Sequence, residues 1–253
     1  MSERTSAGRP VALVTGGSRG IGRAVCDALA PTHALLVGGR DEAAVDRVVE
    51  ELRAKGAQAH PFVVELTDDD STAAAVEALA PSLEDGLDVL VHSAGVARTG
   101  ALAELTREDW AHQYDVNVVA VADLTRRLLP ALRAAGGTVV AINSGSGHRS
   151  GPGGGSYSAS KFALRALTDA LREEERGRVR VVSIHPGRVD TDMQVELQSA
   201  HGRGYVAEDH LSAASVAEAV RYAVLAPAEA MVEELTIRPV RTEVSGERAT
   251  TKG

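Results

Sequence analysis

Val11-Ala12-Leu13-Val14-Thr15-Gly16-Gly17-Ser18-Arg19-Gly20-Ile21-Gly22 is the stretch that decides the fold. Val11 to Val14 is an apolar run of strand length, and it ends in a glycine-rich turn. Beyond the turn, Ile21, Val25, Ala28 and Leu29 recur at helical spacing. Strand, glycine turn, helix is the order that binds a phosphate. Glycines let the backbone come close to a pyrophosphate, and a helix N-terminus offers N–H donors at the positive end of its dipole. The glycines stand as G-x-x-x-G-x-G at 16, 20 and 22, a longer turn than the G-x-G-x-x-G of many dinucleotide sites. By itself the stretch also fits a purely structural turn.

Working outward, strand and helix patterns alternate to the end of the chain. Further strands are expected at 34–38, 59–64, 87–91, 138–142, 179–184 and 235–238. Helices are expected up to Leu29, over 41–55, from a Thr67 or Asp68 cap to Leu79, over 106–132, over 157–175, and from a Ser215–Glu218 box to Leu225. Thr106 with Asp109 has the form of a capping box. Such alternation implies an α/β fold: a Rossmann-type doubly wound parallel sheet with helices on both faces. One domain over residues 10–240 is expected, with a disordered segment at 1–9, a lid at about 193–212 and a polar tail at 241–253.

The composition sets limits. The chain has 253 residues, 44% of them hydrophobic and 25% charged, enough for one sizeable core. Its net charge of -8 argues against a nucleic-acid or anionic-membrane surface. No run approaches a membrane span and no secretory signal precedes Arg9, so a cytoplasmic location is expected. The single cysteine, Cys26, has no internal disulfide partner. No metal site is expected.

The second strand ends in Gly39-Arg40-Asp41, with no carboxylate at its tip. In a dinucleotide site this tip lies beside the adenosine ribose, where an arginine favours a 2′-phosphate. Arg19 adds a second cation. Both point to NADP(H) over NAD(H), the alternative being two solvated arginines. The fourth strand runs into His92-Ser93-Ala94-Gly95, a small-residue turn at a strand's carboxyl end, where cofactors rest.

Chemistry is concentrated in the stretch from Ser144 to Lys161. Tyr157 and Lys161 are four apart and share a helix face. An ammonium beside a phenol lowers its pKa and suits it to proton transfer. A serine hydroxyl nearby can hold the same substrate oxygen. Asn117, inside an expected helix, is either an exposed amide or one that interrupts the helix ladder.

These motifs together resemble the short-chain dehydrogenase/reductase family, single-domain type, over roughly residues 10–240. Thr15 to Gly22 is similar to its T-G-x-x-x-G-x-G turn, and Tyr157 to Lys161 to its Y-x-x-x-K. Ser144 stands thirteen residues before the tyrosine, as 157−144=13. Asn117 falls in Asp115-Val116-Asn117, and Pro186-Gly187 with Thr191 resembles P-G-x-x-x-T. The resemblance implies an NADP(H)-dependent oxidoreductase interconverting a carbonyl and an alcohol. Tyr157 would be the general acid or base, Lys161 would lower its pKa and hold the nicotinamide ribose, Ser144 would place the substrate oxygen, and Asn117 would support Lys161 through a water. The cofactor would lie against Gly16, Ser18, Arg19, Gly20, Ile21, Gly22, Arg40, Glu65, Leu66, Ser93, Ala94, Gly95, Pro186, Gly187, Val189 and Thr191, besides Tyr157 and Lys161.

Two departures stand out. The family usually carries N-N-A-G where this chain has His92-Ser93-Ala94-Gly95, and often an aspartate where Glu65 stands. His92 is expected to substitute structurally. His148, Arg149, Arg188, Met193 and the lid are expected to border a small-molecule pocket. A homodimer or homotetramer through helices 106–132 and 157–175 is implied, with small residues Ala159, Ala163, Ala166 and Ala170 on one face. Two other functions remain open: a catalytically silent dinucleotide sensor or scaffold, and an epimerase or dehydratase that retains its nicotinamide.

Overall fold

Seven strands form one parallel sheet: β1 (Val11–Thr15), β2 (Ala34–Gly39), β3 (Ala59–Val63), β4 (Val89–His92), β5 (Thr138–Ile142), β6 (Arg180–Pro186) and β7 (Glu234–Ile237), in the order β3-β2-β1-β4-β5-β6-β7. The computed structural model describes residues 8–195 and 205–240. Most of the expected N-terminal disordered segment, the 241–253 tail and the middle of the expected lid lie outside the described residues.

Among the described residues, the helices that connect the strands include α1 (Gly20–Leu29), α2 (Glu42–Ala54), α3 (Asp69–Ala78), α4 (Arg107–Tyr114), α5 (Ala120–Ala135), α6 (Gly155–Glu174) and α7 (Ala213–Val224). Side chains alternate across a pleat, so the inner strands feed two cores. Ala12, Val14, Leu35, Val37, Val89, Val91, Val182 and Ile184 pack toward α1, α2 and α7. Leu13, Leu36, Leu90, Val139 and Val181 pack toward α5. Strands covered on both faces read as continuous apolar runs, which is why the sequence pattern was so plain.

Strand order reverses between β1 and β4, and there the ends of Thr15 and His92 lie in register. A crevice opens beyond the carboxyl ends of strands at such a point. Thr15, 1% exposed, shapes it: its Oγ1 accepts from both Ser93 N and Ala94 N at 3.1 Å.

Several expected boundaries shift. The helix over 106–132 is broken: α4 ends at Tyr114, a π-helical turn spans Asp115–Val119, and α5 follows. The Thr106–Asp109 capping box forms as expected. The last helix begins at Ala213, because Ser212 rather than Ser215 is its cap, its side chain accepting from Ser215 N at 3.1 Å. The fourth strand extends to His92 and the sixth to Pro186. No helix among the described residues is long and apolar enough to cross a membrane.

Candidate active site

The glycine turn is as tight as its sequence suggests. Gly16 and Gly20 have φ of 64° and 55°, left-handed values that favour glycine. A Cβ at Gly22 would stand 2.2 Å from Gly16 O, and one at Gly16 only 2.9 Å from Ala94 N. α1 then starts with Arg19 in extended conformation, no side-chain cap and no acid in its first turn. Its first N–H groups are left for an anion. Thr191 stands opposite, its Cγ2 3.6 Å from where a Gly20 Cβ would be. The motif at 186–191 and the glycine turn therefore face each other across one groove. These backbone features fit a dinucleotide pyrophosphate.

The β2 and β3 tips carry the next group of expected contacts. Arg19 and Arg40 are exposed, and Ser18 lies beside Gly39. Arg40 Nη1 is 3.9 Å from Glu65 Oε2, a loose surface pair worth little by itself. Glu65 Oε1 also accepts from Thr67 N at 3.2 Å and Thr67 Oγ1 at 2.8 Å. Leu66 is half-buried against the α5-side core. Ile21 packs on the other core, and Val189 is buried there.

His92 turns away from the groove. It is 3% exposed, and its Nε2 lies 2.8 Å from Thr125 Oγ1 on α5. Thr125 gives its own proton to Val121 O at 2.7 Å. His92 Nε2 is therefore the donor, and the ring is neutral. Burial pushes its pKa down to about 4.

Asn117 is 1% exposed, swung inward by the π turn. Its Oδ1 accepts from Val96 N at 2.9 Å, and its Nδ2 donates to Val96 O at 2.9 Å and Ser160 Oγ at 3.0 Å. These bonds tie Asn117 to the main chain of Val96 and to Ser160 on the tyrosine helix, one residue before Lys161. Gln113, one turn earlier, does parallel work. It donates from Nε2 to Ser156 Oγ at 2.5 Å and accepts from Arg98 N at 2.5 Å. Sequence reasoning missed Gln113, Ser156 and Ser160. The available signal was two matched pairs at i, i+4: Gln113 with Asn117, and Ser156 with Ser160.

Ser144, Tyr157 and Lys161 do converge. Ser144 leaves β5 in extended conformation, its Oγ accepting from Ser146 N at 3.1 Å. Lys161 Nζ lies 5.8 Å from the Tyr157 ring centroid. It donates to Ile142 O at 2.9 Å, and burial pushes its pKa down to about 8. Burial raises the Tyr157 pKa, and the Ser144 hydroxyl works in the opposite direction. The expected lowering of the phenol by Lys161 is thus not found. Burial is the larger cause, and the Lys161 Nζ is turned toward the Ile142 carbonyl rather than the phenol.

A cavity of about 450 Å³ lies over these groups, lined among others by Ser144, Tyr157, Arg149, Arg188, Thr191 and Met193. Its described lining carries two arginines and no carboxylate. His148, expected at its border, points elsewhere, toward His185 and Glu234. The far end of the expected lid is pinned by a parallel bridge from Val189 to Leu211 and by a hydrogen bond from Tyr205 Oη to the Asp190 carboxylate. Cys26 is buried in the core, its thiol pushed up to about 12, and takes no part.

The family model for short chain dehydrogenases matches residues 10–202. The chain is 31% identical over 244 residues to dehydrogenase/reductase SDR family member 11 of Bos taurus, covering 90% of this chain and 95% of that one. It is 34% identical over 237 residues to glycine betaine reductase ATRR of Emericella nidulans, of which it spans only 18%, using 90% of its own length. Among solved structures, an alcohol dehydrogenase from the archaeon Thermococcus sibiricus complexed with 5-hydroxy-NADP superposes with a TM-score of 0.84 at 30% identity, covering 92% of this chain and 99% of that one.

Proposed function

The chain belongs to the short chain dehydrogenase family of NAD(P)-dependent oxidoreductases, and from that premise we propose that it interconverts a ketone or aldehyde and an alcohol with NADP(H), Tyr157 passing the proton. One observation carries this: Ser144 and Tyr157 line a single cavity whose wall at Thr191 faces the glycine turn. NADP(H) supplies the hydride when bound. The protein's residues do the rest.

Gly16, Gly20, Gly22 and the uncapped start of α1 hold the pyrophosphate. Arg19 and Arg40, exposed at the turn and the β2 tip, take the 2′-phosphate, with Glu65 nearby on the adenine side. The backbone turn at Ser93, Ala94 and Gly95, fixed by Thr15 and Asn117, lines the groove. Ser144 Oγ receives the substrate oxygen. Tyr157 Oη gives that oxygen its proton in reduction and takes it back in oxidation. Lys161 is buried within 5.8 Å of the phenol ring, close enough to favour its ionised form once Nζ leaves the Ile142 carbonyl. The exposed Ala166 and Ala170 with the 43%-exposed Phe162 on α6 support association with a second copy.

The deciding experiment is NADPH oxidation against a panel of ketones and aldehydes, with the reverse run on alcohols and NADP⁺. Tyr157→Phe should lose about 10²- to 10⁴-fold in kcat while binding NADPH as before. A Tyr157→Phe variant with full turnover removes the proton-transfer assignment. Cofactor that stays bound and is never consumed would favour epimerisation or dehydration. Binding without any turnover would favour a sensor.

A further inference from the structure

We propose that His185 is a positioning residue for the Ser144–Tyr157 pair, holding the serine's main chain through its Nδ1–H; this rests on the reaction proposed above. Main-chain pairing of β5 and β6 runs out at Ile142 opposite Ile184, with Asn143 N donating to Ile184 O at 2.7 Å. One residue further along each strand, a side chain takes over. His185 Nδ1 lies 3.0 Å from Ser144 O. A carbonyl only accepts, so Nδ1 carries the proton. The same carbonyl accepts from Gly147 N at 2.9 Å, and the serine's backbone is held from two sides.

The Ser183 hydroxyl accommodates this tautomer. Nε2 is then a lone pair, and Ser183 Oγ lies 2.9 Å away to donate into it. His185 is 0% exposed, and burial pushes its pKa down, so the neutral ring is the resting form. Pro186 and Gly187 follow directly and form the wall of the substrate cavity. A single imidazole therefore fixes the distance between the serine loop and the nicotinamide-side loop. Catalytic groups displaced by about 1 Å lose on the order of 10²-fold in rate.

His148, Arg165, Asp169 and Glu234 gather around His185. The His148 ring lies tilted against it, 4.2 Å between centroids and 42° between planes. Arg165 Nη1 lies 3.1 Å from His148 Nδ1, and a guanidinium only donates, so the His148 proton sits on Nε2. That nitrogen faces Glu234 Oε1 at 3.2 Å. Glu234 Oε2 stands 3.7 Å from His185 Nε2 and 4.0 Å from Arg165 Nε. Arg165 Nε is also 3.8 Å from Asp169. The ligand atoms of His148, His185 and Glu234 lie within 4.8 Å of one another, a spacing that suits a metal ion. The arginine argues against one: it consumes the His148 acceptor, leaves a proton on the other nitrogen and already faces the carboxylate.

The test uses two variants of the full chain. Asparagine can place its Nδ2 where the imidazole Nδ1 was; leucine cannot. The probes are cyclohexanone, acetophenone and ethyl acetoacetate with NADPH, and the corresponding alcohols with NADP⁺. On whichever probe the unaltered protein turns over fastest, His185→Leu should lower kcat about 10- to 100-fold. Its NADPH affinity should stay within about twofold, and His185→Asn should recover most of the rate. Full kcat in His185→Leu overturns the proposal, as does an asparagine variant no better than leucine, or parallel loss of NADPH binding. Should the unaltered protein turn over no probe, the proposed reaction fails instead. The His185 bond is then read alone, by NMR. A slowly exchanging imidazole Nδ1–H resonance lost in His185→Leu supports it, and no such resonance in the unaltered protein overturns it.

Discussion

Asn117 holds Val96 as a neighbouring strand would, accepting from its N–H and donating to its carbonyl, both at 2.9 Å. The amide thereby closes the end of the turn that carries Ser93, Ala94 and Gly95, and its third bond reaches Ser160 on the tyrosine helix. Asn117→Ala should cost about 1–3 kcal/mol for the buried polar groups left unpaired. Both NADPH affinity and kcat should fall, because one amide braces both walls. A melting temperature and NADPH affinity equal to the unaltered protein's would mean the clamp does nothing.

His92 gives the fold an acid sensitivity. Its folded pKa of about 4 lies below the ordinary 6.5, so below pH 6.5 the unfolded chain takes up a proton that the folded chain refuses. Stability from this group is intact above about pH 6.5 and is lost as pH falls toward 4, by about 3 kcal/mol in all. His92→Asn should flatten that part of a melting-temperature profile between pH 4 and 6.5. An unchanged profile would show that the buried ring is not its source.

Arg40 is exposed and held only loosely, 3.9 Å from Glu65, so it is available to a phosphate. Arg40→Asp should weaken NADPH by about 10- to 100-fold, the worth of a charge-assisted hydrogen bond, and leave NADH nearly as it was. Binding titrations with both cofactors decide the matter. Equal losses for both would discard the 2′-phosphate assignment.

The cavity lined by Ser144 and Tyr157 has a sign. Arg149 and Arg188 line it and no described carboxylate does, so ketones bearing a carboxylate should bind better than their esters. Arg188→Glu should raise KM for levulinate about 10-fold or more and leave methyl levulinate within about twofold. A variant that treats acid and ester alike would remove the charge argument.

The sheet was legible because β-strands buried on both faces leave no ambiguity: Ala12 to Val14 and Val139 to Ile142 can only be interior. The glycine turn was legible for the same kind of reason, since a Cβ at Gly22 has nowhere to go. Caps were half legible. Thr106 and Asp109 had no competitors, whereas Ser212 and Ser215 both fit a helix start, and the choice lies in backbone direction. The π turn was marked only by Asn117, the amide read as one that could interrupt the helix ladder, because an i→i+5 bond itself selects no residue type. Nor did the sequence reveal where Lys161 points or that His148 turns its back on the cavity. Those depend on neighbours brought in from β5, β6 and β7.

The π turn at Asp115–Val119 accommodates one more residue than an α-helical path between α4 and α5 would need. Each residue of a helix advances the side chains by about 100°. Deleting a single residue there would restore a regular spiral, yet Gln113 and Asn117 would no longer aim at Ser156 and Ser160 together. In this segment, Asn117 apart, length is a more stringent constraint than composition: the chain should tolerate exchanges of side chain at 115, 116, 118 and 119 before it tolerates one omission.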